Sequence, residues 1–217
     1  MDINRYSPSY VLSKKHLLGL TDYSTEEIFE FLYATKALKR KFEAHEETNI
    51  LHGTTVALLF ADTSLRTRSA IEIGTQQLGG TCVDLPYNSR DMSAGENIKD
   101  IVNVISRYGV GALITRGINK KLLTEFTSIS TMPIINSHND DCVPIQAICD
   151  LYTIWEKKGE LAGVKLAVVG KATSATSSFV IGAVKCGMEV SVACPARYGM
   201  KRENIEAAEQ MGKIYFT

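Results

Sequence analysis

Thr55-Val56-Ala57-Leu58-Leu59-Phe60-Ala61-Asp62-Thr63-Ser64-Leu65-Arg66-Thr67-Arg68 is an apolar run that gives way to a helix-like segment over 67–78. A short apolar run of this kind reads as a buried strand. A strand that turns into a helix presents, at the turn, the helix's unpaired N–H groups and its positive dipole end, which suits an anion. Ser64 and Thr67 add hydroxyls, and Arg66 and Arg68 add forked donors. That combination matches a phosphate or carboxylate better than a single basic residue does. The ordinary alternative is a helix start with Thr63 or Ser64 as N-cap and two solvated arginines. We read the turn as an oxyanion pocket.

Upstream, Ser24-Thr25-Glu26-Glu27 is a capping box, and Ile28, Leu32, Leu38 and Phe42 follow at roughly helical spacing, so an amphipathic packing helix starts there. Its basic tail, Lys36, Lys39, Arg40 and Lys41, is a solvated face suited to the C-terminal dipole. Downstream, Gly79-Gly80 breaks the pattern, 81–85 reads as a strand and 86–95 as a polar loop. Helices over 96–108, 120–128 and 145–158 then alternate with strands over 110–115 and 132–136. From Gly163 the alternation restarts, with strands over 164–169, 189–193 and 214–216 and helices over 177–186 and 203–211.

This pattern predicts an α/β fold: a mostly parallel sheet flanked by helices, followed by a partial second Rossmann-like α/β domain. The boundary is placed near Asp150, giving domains 1–150 and 151–217. Ligands in such sheets sit at the C-terminal ends of strands. Residues 64–68, 88–95, 116 and 136–146 are therefore expected to face one crevice.

The chain has 217 residues, 45% of them hydrophobic, and no formal net charge, so it can bury a sizeable core. Nothing in that balance recommends nucleic acid or an anionic membrane as partner, and any attraction for anions must be local. No apolar run approaches the roughly 20 residues of a membrane span. Residues 1–13 are polar, without the apolar core of a secretory signal, which points to the cytoplasm. Cys82, Cys142, Cys149, Cys186 and Cys194 are odd in number and scattered, with no C-x-x-C pair. Reduced and mostly buried thiols are expected, rather than a zinc site or a disulfide framework.

Several separate segments resemble the aspartate and ornithine carbamoyltransferases, the ornithine branch more closely. They include Ser64-Leu65-Arg66-Thr67-Arg68, Gln77-Leu78-Gly79-Gly80, Glu96-Asn97-Ile98-Lys99-Asp100, Ser106-Arg107-Tyr108 and Ile114-Thr115-Arg116-Gly117. Pro133-Ile134-Ile135-Asn136, Pro144-Ile145-Gln146-Ala147 with Asp150, and Gly187-Met188 continue the match in order and spacing. In such enzymes an amino acid's amine attacks the carbamoyl carbon of carbamoyl phosphate, and phosphate leaves. The resemblance implies that Ser64, Arg66 and Thr67 hold the phosphate and that Arg116 and Gln146 complete the site, with Arg66, Arg116 and Gln146 as the catalytic residues. It also implies an amino acid as second substrate, a homotrimer with shared sites, and no metal or organic cofactor. From the residues alone, Arg116 at a strand end also fits a pair with a surface carboxylate, and Gln146 fits a helix cap.

The chain departs from the family pattern at several of these positions. Leu65 replaces the second hydroxyl of S-T-R-T-R, and Val143 stands where H-P-x-Q places a histidine that polarises the carbonyl. Losing one such donor commonly costs about a hundredfold in rate. His138 lies nearby in the same loop, with a solvent-facing position as its ordinary reading. The turn Gly170-Lys171-Ala172-Thr173-Ser174 stands where the ornithine branch reads G-D-G-N-N. Ser174 there replaces the ornithine-contacting asparagine as a weak amino-acid contact, and Lys171 replaces an acid and disfavours a second ammonium. Asp91, in a loop that reaches a neighbouring subunit's site in relatives, adds an acid that discourages a dianionic phosphate there unless Arg90 offsets it. The family's later S-M-G and H-C-L-P segments do not occur in the sequence.

Two functions follow from these features. One is a carbamoyltransferase making citrulline or a related ureido acid. The other is a catalytically degenerate relative that binds phosphate or carbamoyl phosphate as a regulator or partner subunit. A nucleotide-dependent oxidoreductase is disfavoured, because the turn at Gly170 lacks G-x-G-x-x-G.

Overall fold

Residues 55–60 pair with 81–86 on one side and, from Val56 on, with 112–116 on the other, and five of the six are buried, which is what a continuous apolar run requires. In the computed structural model, which describes residues 2–86 and 97–217, the elements are α1 (Thr25–Glu43), β1 (Thr55–Phe60), α2 (Leu65–Gln77), β2 (Thr81–Pro86), α3 (Ile98–Arg107), β3 (Ala112–Arg116), α4 (Lys120–Ile129) and β4 (Ile134–His138). They continue as α5 (Pro144–Lys158), β5 (Lys165–Val169), α6 (Ser174–Lys185), β6 (Glu189–Ala193), α7 (Arg202–Met211) and β7 (Ile214–Phe216). The protein is α/β, with two sheets among the described residues, both wholly parallel and ordered β2-β1-β3-β4 and β5-β6-β7. The chain forms two compact units. One is Lys15–Leu18 with Lys41–Asp141, and the other is Met1–Lys14, Gly19–Arg40 and Cys142–Thr217.

In the first unit β1 and β3 are buried on both faces of the sheet, while the edge strand β2 is largely exposed. Ala57, Leu59, Leu113 and Ile134 pack on Val102, Ile105, Leu123 and Phe126 from α3 and α4. Val56, Leu58, Phe60 and Ile114 make the opposite core with Ile71 of α2. The outer edge of β4 is covered by the segment around Leu17, whose N–H donates to the Ile134 carbonyl and whose carbonyl accepts from Asn136. That edge is therefore not left bare.

The turn into β2 depends on Gly79, whose φ of +83° lies in the left-handed region. A Cβ there would also stand 2.8 Å from Asn49 Oδ1 and 3.2 Å from Asn49 Cα. Gly109 has a similar φ but nothing within 4 Å of its would-be Cβ. Gly79→Ala is thus expected to destabilise by about 2–3 kcal/mol and Gly109→Ala by about 1 kcal/mol, measured by denaturant unfolding.

In the second unit α1 starts on its capping box. The Ser24 Oγ accepts from the Glu27 N–H at 3.2 Å, and the Glu27 carboxylate accepts from the Ser24 N–H at 2.9 Å. Two carboxylates on α1 then hold the N-terminal segment. Glu27 accepts from the Ser13 N–H and hydroxyl. Glu30, only 4% exposed, accepts from the Tyr6 hydroxyl at 2.5 Å, the Ser9 N–H and hydroxyl at 2.8 and 2.7 Å, and the Tyr10 N–H at 2.7 Å. Tyr10 is held at a φ of +56° beside these bonds.

Helix α6 starts at Ser174, earlier than its apolar spacing suggests, because Thr173 caps it by accepting from the Thr176 N–H. The buried side of the second sheet carries Val190 and Val192, while Ala167, Val169 and Ser191 are exposed.

Candidate functional site

The turn after β1 carries two hydroxyls and two arginines, and the structure separates their roles. Ser64 sits at the N-cap of α2 but makes no side-chain cap; its hydroxyl donates instead to Thr67 Oγ1 at 2.9 Å. The first-turn N–H groups are thereby left to an acceptor from outside the helix. Arg68 turns back into the fold, 2.6 Å from Asp84 of β2 and stacked 5.1 Å over the Phe60 ring. Arg66 is exposed and has no ion-pair partner among the described residues, whereas Arg68 is engaged within the fold. Leu65, in place of a hydroxyl, is 81% exposed.

Arg116 ends β3 in register with Phe60, and hence on the α2 side of the sheet. Only 17% of its side chain is exposed, and its Nε lies 2.8 Å from Asp62 Oδ1. The approach is too bent to count as a hydrogen bond, so the contact is an ion pair in which Nε is buried without a hydrogen-bond partner. The pairing of Arg116 with a carboxylate, open in the sequence, is realised with Asp62.

β4 brings a third group to the same place. Its register against β3 is regular to Thr115↔Asn136 and then skips Ser137, so that Arg116 faces His138. The skipped Ser137 is anchored by its hydroxyl, which donates to the Thr115 carbonyl at 2.9 Å. His138 is half-buried rather than solvent-facing, with Nδ1 3.9 Å from Asp62 Oδ2. Burial first, and Arg116 second, push the imidazole below its usual value against the opposing pull of Asp62 and Asp140, which favours the neutral ring. Gly117, at φ +72°, leaves room at the corner, since a Cβ there would meet Ala61 Cβ at 3.2 Å and Asp62 N at 3.3 Å.

The remaining expected residues belong to the second unit. Gln146 does not cap α5; its side-chain amide donates to Asp150 at 2.8 Å and is exposed. Val143 occupies the N-cap of α5, buried, and its N–H donates to Ser178 of α6 at 2.8 Å. Ser174 opens α6. Lys171, just ahead of it, is exposed, with Nζ 5.7 Å from the Tyr198 ring centroid. The expected loop over 88–95, with Arg90 and Asp91, lies outside the described residues.

Ser64, Arg66, Thr67 and Arg116 thus belong to one unit, at the start of α2 and the end of β3, while Gln146 and Ser174 open two helices of the other. Asp62 and the involvement of His138 were missed. Asp62 was visible in the opening turn, but its pairing depends on a register between strands far apart in sequence. None of the five cysteines forms a disulfide, yet Cys186 alone is buried, against the expectation of mostly buried thiols. Burial pushes the Cys186 thiol up to about 12, which makes it inert. Among the described residues no cluster of His, Cys, Asp or Glu suits a metal ion, and no helix is long and apolar enough to cross a membrane.

Comparison with known proteins places this geometry in a family. Residues 15–156 match the family model for the carbamoyl-P binding domain of aspartate/ornithine carbamoyltransferase. The ornithine carbamoyltransferase of Anoxybacillus flavithermus is 38% identical over 200 residues, covering 92% of this chain and 63% of that protein. The anabolic ornithine carbamoyltransferase of Pyrococcus furiosus is 36% identical over 199 residues, with 92% and 63% covered. The solved structure of the Pyrococcus furiosus enzyme superposes with a TM-score of 0.87 at 36% identity, over 93% of this chain and 66% of that one. The chain therefore spans just under two thirds of the length of these curated relatives. With an anion-suited strand-to-helix turn, an arginine at the neighbouring strand end and a family match over most of its length, the chain belongs to the aspartate/ornithine carbamoyltransferase family.

Proposed function

We propose that the chain binds carbamoyl phosphate and takes part in transferring its carbamoyl group to the amine of an ornithine-like amino acid, giving citrulline or a related ureido acid and phosphate. The observation that carries this reading is the placement of Arg116 on the α2 side of the sheet, beside the helix start that bears Ser64, Arg66 and Thr67. In the proposed mechanism the first-turn N–H groups, the two hydroxyls and Arg66 hold the phosphate. Arg116 stabilises the oxyanion that develops on the carbamoyl carbonyl as the amine attacks, and the phosphate then leaves with the electron pair of the broken bond. Gln146 contacts the carbamoyl group and Ser174 the amino acid. In ligand terms, residues 1–150 hold carbamoyl phosphate and 151–217 begin the amino-acid side, although α1 packs with the later segment. A homotrimer in the cytoplasm is part of the same reading.

A second reading has its own support. Buried Val143, where relatives carry an imidazole, supplies no donor to the carbonyl, and this favours a family member that binds the phosphate without turning it over. The two readings separate in one experiment: phosphate release from carbamoyl phosphate across a panel of amino acids, alongside calorimetric binding. Turnover with ornithine or a related amine supports the enzyme. Binding with no turnover supports the regulator, and neither binding nor turnover removes both.

A further inference from the structure

We propose that Asp62 is a specificity-determining residue of this site: paired with Arg116 at the strand ends, its carboxylate accepts from the amino group of a carbamoyl amide while the guanidinium donates to the amide's carbonyl oxygen. This rests on the carbamoyl phosphate reading and deepens it.

The chemistry follows from what the pair presents. A lone guanidinium offers only donors and suits a bare anion. A carboxylate held beside a guanidinium offers an acceptor and donors side by side, which complements an amide, whose nitrogen donates and whose oxygen accepts. Asp62 Oδ1 lies against Arg116 Nε at 2.8 Å, and among the described residues neither Nη group has a hydrogen-bond partner, which leaves both to a ligand. The other oxygen, Oδ2, is 3.9 Å from His138 Nδ1, too far for that contact to saturate it.

The two partners are also placed in depth. Asp62 is 42% exposed against 17% for Arg116, so the acceptor stands at the mouth and the charge that faces the carbonyl lies deeper. Gly117 keeps the corner open, because a Cβ would come within 3.4 Å of Asp62 Cγ. Asp62 precedes the N-cap Ser64 by two residues, a backbone span of at most about 7 Å. A phosphate on Ser64 and Thr67 and an amide on Asp62 thus fit within one small molecule. A neutral His138 adds no second cation to pull Asp62 away from this role.

An acyl phosphate with a methyl group in place of the amino group leaves Asp62 facing carbon with nothing to accept from, which costs affinity. Two stable probes isolate this difference: phosphonoacetamide, and acetonylphosphonate, in which CH3 replaces NH2. Both are titrated calorimetrically into the full chain, into Asp62→Asn and into Asp62→Ala. The wild-type chain is expected to prefer the amide by about tenfold. Asp62→Asn keeps the preference through its remaining oxygen and binds both probes more tightly, since a negative charge near the phosphonate is gone. Asp62→Ala loses the preference. Equal binding of both probes to the wild type, or a preference that survives in Asp62→Ala, overturns this inference and leaves the phosphate site standing. Failure of both probes to bind any of the three proteins overturns the inference together with the reading beneath it.

Discussion

Arg116→Ala is expected to weaken phosphonoacetamide binding by about a hundredfold or more, and to lower any carbamoyl transfer by about a thousandfold. The effect exceeds the loss of one donor because of Asp62. With the guanidinium present, the two charges sit 2.8 Å apart and offset one another. Without it, the carboxylate stays at the mouth of the site and faces an incoming dianion without the guanidinium that offset it. Two steps of charge are therefore altered by one substitution: an attraction is lost and a repulsion uncovered. Arg66→Ala should cost less, about tenfold, because an exposed guanidinium acts through high-dielectric solvent. Calorimetry on the two variants checks the order. An Arg116→Ala protein that binds as the wild type does would remove Arg116 from the site. The fold should tolerate the change, since Asp62 is half-exposed and can be solvated.

The second large effect concerns stability. Burial alone would raise the Glu30 carboxyl, but the hydrogen bonds from Tyr6, Ser9 and Tyr10 outweigh it and bring the group from its ordinary 4.5 down to about 2. The same bond pushes the Tyr6 hydroxyl up to about 12, so it remains a donor throughout. A depressed carboxylate stabilises the folded chain by about 3 kcal/mol at neutral pH. That contribution is complete above pH 4.5 and fades as pH falls toward 2, where the folded-state group itself takes up a proton. Glu30→Ala is accordingly expected to lower Tm at pH 7 by about 6–12 °C. It should also flatten the acid limb of the stability curve in that window. Equal melting of variant and wild type at pH 7 would show that the N-terminal segment is not held by this carboxylate.

Much of the fold was legible in the sequence because its signals are local. The capping box at Ser24 and Glu27 forms its two bonds as the spacing requires. The apolar run before Ser64 becomes a strand buried on both faces. The remaining elements lie within a few residues of their expected limits, and the shifts have local causes. β4 starts after Pro133, which lacks an N–H to give, and α6 starts at a threonine cap hidden in a run of small polar residues. Within the candidate site, the arginines and hydroxyls were recognisable by type, but which arginine is offered outward was not. Arg68 is claimed by Asp84 on a neighbouring strand, and only the pairing of β1 with β2 reveals that. Asp62 and His138 escaped for the same reason: their partners are fixed by strand register, a property of the sheet rather than of any short stretch.

The surplus residue in β4 makes the chemistry of the strand ends depend on counting. Side chains alternate sides along a strand, so uninterrupted pairing would bring Ser137 opposite Arg116 and turn the imidazole toward α3 and α4. By stepping over Ser137, the chain returns His138 to the side where the guanidinium and the carboxylate meet. An insertion or deletion between Ile134 and His138 therefore rewires the charge cluster even when each of its three members is retained, whereas substitutions that leave the spacing intact do not.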